Sequence, residues 1–137
     1  MKAVLDSMLW VSYVTHRNGP RYRVIERASK AKVRLFVSDY ILDEVTAALR
    51  RDMRESARFV RLARAAILRR AQRIVLPKRI GVYVPGDPKD DAVVQTAITS
   101  RSDYLVTADA VLLDLGKVRS VEIVTVKQFA EQLPEPA

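Results

Sequence analysis

Short apolar runs alternate along the chain with longer segments of helical periodicity. The short runs consist mainly of aliphatic side chains, which is typical of strands buried on both faces of a parallel sheet. Four of them predict strands: AVLD (3–6), VRLFV (33–37), YLVT (104–107) and VEIVTV (121–126). In the connector rich in proline and glycine over residues 77–89, VYV (82–84) is a candidate for a fifth, short strand.

The segments between these runs carry apolar side chains at helical spacing. Pro20 suits the first turn of a helix, and Ser38 can cap the helix after the second run. Asp52 and Glu55 resemble a capping box, which predicts that one helix ends there and another runs to about Ile74. The predicted helices cover about 8–16, 20–31, 39–50, 52–74, 90–100 and 127–133, with a short turn or helix at 108–115.

Strands separated by helical connections predict a parallel sheet with helices on both faces. The 137 residues suit one compact domain, and the ending PEPA predicts that about residues 133–137 fray. No run approaches the ~18 to 20 apolar residues of a membrane span. Because Asp6 interrupts the first apolar run, that run does not suit a signal peptide. We therefore expect a soluble cytoplasmic protein.

Basic side chains are concentrated in one segment. The whole chain has 24 Lys and Arg against 16 Asp and Glu, a net charge of +8. Residues 50–79 alone carry eleven basic and two acidic side chains, a net charge of +9. Helical spacing places four arginines of this segment in one arc: Arg54, Arg58, Arg61 and Arg64. The arc predicts a face that binds RNA phosphates, and the alternative is a solvated helix surface.

The composition excludes several kinds of site. The chain has no cysteine, which excludes disulfide scaffolds, zinc ribbons, iron–sulfur sites and thiol nucleophiles. Because His16 is the single histidine, a metal site with several histidines is excluded as well. A metal site in this chain must therefore be built from carboxylates.

Acidic residues from four separate segments fall at the predicted carboxyl ends of strands or in the helix turns beside them. Asp6 ends the first run, Glu44 lies in the helix after the second, and Asp109 follows the third. Asp90 and Asp91 begin the helix after the connector. Because ligands of open parallel sheets bind at the carboxyl ends of the strands, we expect these acids to converge. Taken singly, each could also be a helix cap, a turn residue or a solvated acid.

A carboxylate cluster without histidine or cysteine selects hard cations, here Mg²⁺ or Mn²⁺. Such an ion lowers the pKa of a bound water and stabilises charge on a phosphoryl oxygen, and two ions would hold both the attacking and the leaving oxygen. An acidic site beside a basic helix fits a polyanion that arginines hold while its phosphate reaches the metal.

Three segments of the chain resemble the PIN-domain family. They are AVLDSMLWVSYV, VRLFVSDYILDEVTAAL and GDPKDDAVVQTAITSRSDYLVTADAVLLDL. The last is the most specific, because it resembles the family's D-P-x-D-D, apolar helix, A-D-Y-L-V-T-x-D and L-L signature. Spacing and order match over about residues 2–130. In its details the chain is most similar to the PIN subgroup described as toxins of toxin–antitoxin pairs.

This resemblance implies a three-layer α/β/α domain with Mg²⁺- or Mn²⁺-dependent endoribonuclease activity. It transfers the family's acidic quartet to Asp6, Glu44, one of Asp90 or Asp91, and Asp109. Asp90 is favoured because the valines after it would then pack inward, while Asp91 stays open and both could approach the metal.

Three neighbouring positions are also compared with the family. Thr107 matches the threonine before the last acid, where its hydroxyl could bond a carboxylate or a water. Ser7 takes the place of a common threonine after the first acid, and Met8 stands where the family often has an asparagine that helps to order the site. Among the tyrosines, Tyr40 is the best placed to stack a base, one turn before Glu44.

The sequence therefore predicts a single PIN-like domain over 1–137, with a central parallel sheet of four or five strands, that acts as a metal-dependent endoribonuclease. A metal-activated water would attack the RNA phosphodiester without a covalent intermediate. The expected partners are RNA, a cognate antitoxin and further copies of the chain in a homodimer or higher homo-oligomer, with no membrane. The alternative, from a different class, is a non-catalytic RNA-binding or regulatory module of the same fold.

Overall fold

Strands and helices alternate along the computed structural model, which describes residues 1–135. Its strands are β1 (Lys2–Leu5), β2 (Arg34–Ser38), β3 (Ala71–Ile74), β4 (Tyr104–Val106), β5 (Lys117–Val118) and β6 (Val121–Val124). Its helices are α1 (Ser7–Thr15), α2 (Pro20–Lys30), α3 (Asp39–Ala47), α4 (Ala57–Arg70), α5 (Pro88–Thr99), α6 (Ala110–Leu115) and α7 (Val126–Gln132). A π-helical turn, Ala48–Asp52, extends α3.

The strands form one sheet in the order β3-β2-β1-β4-β6-β5. All neighbouring pairs are parallel except β5 and β6, which are antiparallel. The chain moves outward from β1 to β2 and β3 and then returns to β4 on the other side of β1. The sheet therefore reverses its order between β1 and β4, and ligands of such sheets bind beyond the carboxyl ends of the strands at that point.

The predicted α/β/α architecture around a parallel sheet is confirmed, with six strands in place of four or five. The four predicted runs form β1, β2, β4 and β6. Apart from the exposed Glu122 of β6, their middle residues are buried, as in strands covered on both faces; these include Ala3, Val4, Leu35, Val37, Leu105 and Ile123. Helices cover them with large apolar side chains, among which Trp10 and Phe129 are fully buried.

The predicted helix from Asp52 to about Ile74 is wrong at both ends. The π-helical turn continues to Asp52, and Ser56 caps α4 by accepting a hydrogen bond from the N–H of Phe59 at 3.0 Å. At the other end, Ala71–Ile74 leaves the helix and pairs with β2 as a parallel edge strand. This strand has no alternating apolar pattern, because its two middle side chains are exposed.

The prediction and the structure also differ at two shorter segments. VYV (82–84) is not a strand, and its backbone N–H groups bond to side chains of α5 instead of to a neighbouring strand. The two-residue strand β5 was not predicted, because it is too short to show a periodicity.

The C-terminal segment packs on the domain as far as the structure describes it. Leu133 is buried, and Arg27 Nη2 lies 3.4 Å from its carbonyl oxygen and 3.3 Å from that of Pro134. Fraying over about 133–137 stays a prediction, since residues 136 and 137 lie outside the described residues. Within residues 1–135, no helix has the length and apolar character needed to cross a membrane.

Candidate active site

The candidate site lies where β1 and β4 end side by side. Asp6 follows β1, and its N–H donates to the carbonyl oxygen of Val106 in β4 at 2.9 Å. Its carboxylate caps α1 by accepting a bond from the N–H of Ser7 at 2.7 Å. Asp109 follows β4 and caps α6 in the same way, accepting from the N–H of Val111 at 2.8 Å. Two carboxylates are thus fixed at neighbouring strand ends.

Thr107 connects these two acids. Its side chain is 0% exposed, and its hydroxyl donates to Asp6 Oδ2 at 2.7 Å. The hydroxyl oxygen of Thr107 also accepts a bond from the N–H of Asp109 at 3.0 Å. Ser7 lies on the other side of Asp6, with its hydroxyl 3.5 Å from Oδ1. The orientation of Asp6 is therefore set from both sides.

Glu44 on α3 and Asp90 on α5 complete the acidic site. Burial and then the negative charge of Asp6 raise the pKa of Glu44 to about 7, and Asp90 adds to this rise. Burial and then the charges of Asp109, Asp87 and Asp6 raise the pKa of Asp90 to about 6. Glu44 and Asp90 are therefore harder to ionise, because each is partly buried and lies near other carboxylates.

The donor set of this site fits a hard divalent cation. All four side chains offer carboxylate oxygens, and Asp90 Oδ2 is buried without a hydrogen-bond partner among the described residues. Within residues 1–135, however, no three His, Cys, Asp or Glu side chains are grouped closely enough to hold an ion together. The acids are therefore close enough to shift one another's pKa and would have to move closer to enclose a cation.

Asp91 has a different environment from Asp90. It is 6% exposed, and its Oδ1 accepts bonds from the N–H groups of Tyr83 at 2.8 Å and Val84 at 2.7 Å. The neighbouring Gln95 accepts from the N–H of Gly81 at 3.0 Å. Asp91 thus anchors the connector to α5, and it is Asp90 that the structure brings to the other three acids.

Two residues at the site had no assigned part in the predicted metal centre. Asp87 caps α5, accepts a bond from the N–H of Asp90 at 3.3 Å, and its charge raises the pKa of Asp90. The sequence signal was Pro88, because proline at the first helical position marks the residue before it as the cap. Tyr40 lies one turn before Glu44; burial and then the charges of Glu44, Asp87, Asp90 and Asp6 raise its pKa to about 12.

A sequence model of the PIN domain matches residues 2–110. The chain belongs to the PIN-domain family. Among solved structures it is similar to VapBC2 from Rickettsia felis bound to a DNA fragment from their promoter, with 14% identity and a TM-score of 0.65. That match covers 91% of this chain and 98% of the other and shows a shared fold. No curated protein matches the chain.

The arginines of this PIN domain do not form the single helical arc predicted from spacing. Arg54 lies before α4, with a φ of 54°. Arg58 and Arg61 are exposed on α4, as the RNA-binding hypothesis requires. Arg64 is partly buried and lies 3.2 Å from the hydroxyl of Thr46 and 3.8 Å from the carboxylate of Asp43, both on α3. Of the four arginines in the predicted arc, Arg54, Arg58 and Arg61 are thus exposed, and Arg64 is partly buried.

A groove of about 380 Å³ lies between α1, α2 and α4 of the PIN domain. Its apolar wall includes Tyr22, Phe59 and Leu62, and arginines stand at its edge. Beside it, Glu26 accepts bonds from Arg70 Nε at 2.9 Å and Nη2 at 3.2 Å, and from the hydroxyl of Tyr13. This cluster joins the three helices that form the groove.

Proposed function

We propose that this PIN domain is a metal-dependent endoribonuclease that hydrolyses RNA phosphodiester bonds. The observation that carries the proposal is the set of four carboxylates, Asp6, Glu44, Asp90 and Asp109, that the strand ends and adjoining helix turns bring together. Burial and then repulsion by neighbouring carboxylates raise the pKa values of Glu44 and Asp90, and a divalent cation would stabilise carboxylates in this environment.

Metal binding, positioning of Asp6 and phosphate binding would each fall to different residues of the chain. Asp6, Glu44, Asp90 and Asp109 would hold Mg²⁺ or Mn²⁺, while Thr107 and Ser7 keep the Asp6 carboxylate in place. When bound, such a cation lowers the pKa of water and stabilises negative charge on phosphoryl oxygens. Exposed arginines on α4 would bind phosphates further along the strand, which adds affinity without selecting a sequence. The exposed arginines are Arg58 and Arg61 on α4 and Arg54 before it, and the partly buried Arg64 lies beside them.

The same proposal includes a protein partner, the antitoxin of a toxin–antitoxin pair. It is supported by the fold shared with VapBC2 and by the resemblance of the chain to the toxins of such pairs. The groove between α1, α2 and α4 combines an apolar wall with arginines at its edge, so it suits a segment with apolar and acidic side chains. Association into a homodimer or higher homo-oligomer remains part of this proposal.

Cleavage of a labelled single-stranded RNA tests the activity. Wild type, Asp6→Asn and the control Asp114→Asn would be compared with Mg²⁺, Mn²⁺ and EDTA. Asp114 is an exposed acid on α6, so its change removes the same charge outside the carboxylate set. We expect metal-dependent cutting by wild type and Asp114→Asn, and none by Asp6→Asn. Equal cutting by all three proteins would indicate a contaminating ribonuclease and would contradict the proposal.

The second candidate function is a non-catalytic RNA-binding or regulatory module. It is favoured by one observation, that the carboxylates among residues 1–135 do not group closely enough to enclose an ion. This function predicts RNA binding that is unchanged by EDTA and by Asp6→Asn, with no cutting under any condition.

A further inference from the structure

Two exposed apolar side chains stand beside the acids of the candidate site. Met8 is 54% exposed and Val111 is 53% exposed, whereas the next residue of each helix, Leu9 and Leu112, is buried. Exposed apolar side chains next to a group of carboxylates gain nothing from the core, and water solvates them poorly. Their position therefore calls for a ligand that is both charged and apolar.

The two side chains have equivalent positions in the fold. Met8 is the second residue of α1, which Asp6 caps, and Val111 is the second residue of α6, which Asp109 caps. Side chains in a helix tilt toward its N-terminus and cover the surface one turn back. The side chains of Met8 and Val111 thus extend over the N-terminal ends of α1 and α6. Because β1 and β4 are parallel neighbours, both helix ends follow strand ends at the edge of the sheet where Asp6 and Asp109 lie.

We propose that Met8 and Val111 contact the bases on either side of the phosphate that lies at the acids, and that this contact determines which nucleotides are accepted. This inference rests on the proposed function, since it concerns the substrate of the same site. It deepens that function by assigning base selection to two side chains that bind neither phosphate nor metal.

The chemistry of a nucleic-acid strand matches this arrangement. Carboxylates with a cation and arginines both act on phosphate, which is the same at every position of a strand. The bases are the apolar part of the ligand, and their faces are open only where the strand is unpaired. A flexible, polarisable methionine adapts to several ring shapes, whereas β-branched valine has few rotamers. The base beside Val111 is therefore the more strictly selected one.

Charge selects RNA over an apolar protein segment as the occupant of these positions. Residues 50–79 carry a net charge of +9, and Arg64 in that segment contacts Asp43, the neighbour of Glu44. A polyanion can follow this basic surface to the acidic site, whereas an uncharged apolar segment would gain nothing from it.

Binding of a fluorescent single-stranded RNA tests the inference. It would be measured with Ca²⁺, which also takes oxygen ligands, and the strand would be checked on a gel for integrity. The proteins are wild type, Met8→Ala, Val111→Ala, the double variant, Met8→Leu and Val82→Ala. Val82 is a matched control because it is an 84% exposed apolar residue of the connector, outside the basic segment 50–79.

We expect each alanine at the site to weaken binding about three- to tenfold, as loss of a partly buried apolar contact does. Val82→Ala should bind as wild type does, and Met8→Leu should keep the wild-type affinity. A strand of abasic riboses of equal length then isolates the bases. Wild type should prefer the strand with bases, and the double variant should bind both strands nearly equally.

Three outcomes would contradict the inference. If the double variant keeps the wild-type preference for the strand with bases, other residues contact them. If it keeps full RNA affinity but changes its elution volume in gel filtration, Met8 and Val111 belong to a contact between copies of the chain. If wild type neither binds nor cuts single-stranded RNA, the proposed function fails together with the inference. The first two results differ from this one, because in both of them wild type binds RNA.

Discussion

Thr107 shows at the scale of one residue how the site depends on a buried hydroxyl. It donates to Asp6 Oδ2 and accepts from the N–H of Asp109, so Thr107→Val removes both interactions while keeping the shape of the side chain. Loss of a residue that orients metal ligands typically costs about 10- to 100-fold in metal affinity or activity. We expect a decrease of that size in single-turnover RNA cleavage, with recovery in Thr107→Ser. Wild-type activity in Thr107→Val would show that Asp6 does not need this bond.

Asp90 and Asp91 are adjacent in sequence, but their substitution should have opposite effects. Asp91→Ala removes a buried acceptor of two backbone bonds, which should cost about 2 to 4 kcal/mol of stability while folded molecules keep their activity. Asp90→Asn removes a carboxylate of the proposed metal site, so it should abolish cleavage. It also removes a charge that burial and the neighbouring acids disfavour, so the thermal midpoint at pH 8 should be equal or higher. Thermal unfolding and RNA cleavage of both variants check this. The reverse pattern would make Asp91 the third acid of the site.

At the scale of secondary-structure elements, the arginines of α4 and of the following strand β3 separate into ones with and without an ion pair to α3. Arg58 and Arg61 of α4 are exposed, whereas Arg64 of α4 and Arg73 of β3 pair with Asp43 and Asp39 on α3. Each lost phosphate contact should lower the slope of log K against log salt by about 0.7 for a single strand. We expect the slope to fall by about 1.4 when Arg58 and Arg61 are changed to Gln. It should fall by less when Arg64 and Arg73 are changed to Gln. Equal slopes in both double variants, which have the same net charge, would contradict a binding role for the exposed pair.

The same scale shows which parts of the structure could be predicted from sequence. β1, β2 and β4 were predicted because burial on both faces leaves an apolar run, and β6 because its residues other than Glu122 are apolar and buried. The rule for strand ends then indicated Asp6 and Asp109. β3 was missed because its side chains Gln72 and Arg73 are exposed and its pairing with β2 is a tertiary contact. Asp87 was missed because caps and connectors have no period, so only Pro88 marked it.

At the scale of the whole molecule, Glu44 and Asp90 oppose folding when they are ionised, because burial and then neighbouring carboxylates disfavour their charged forms. The pKa values of Glu44 and Asp90 are raised from ordinary values of 4.5 and 3.8 to about 7 and about 6, so the folded chain binds more protons than the unfolded chain between those values. Stability from these two groups is therefore fully present below about pH 4 and is lost as pH rises through 6 and 7. In metal-free protein, we expect the thermal midpoint of wild type to fall over this range relative to a Glu44→Gln, Asp90→Asn double variant.

The dependence on pH also connects the fold to the proposed metal. A cation that binds only the folded, ionised acids stabilises the protein in proportion to the logarithm of its concentration. Millimolar Mg²⁺ or Mn²⁺ should therefore raise the thermal midpoint of wild type at pH 8, where the repulsion is greatest, and have little effect at pH 5, where protons occupy the same oxygens. The double variant should respond weakly at both pH values. If Mg²⁺ and Mn²⁺ raise its midpoint at pH 8 as much as that of wild type, these ions bind elsewhere on the chain.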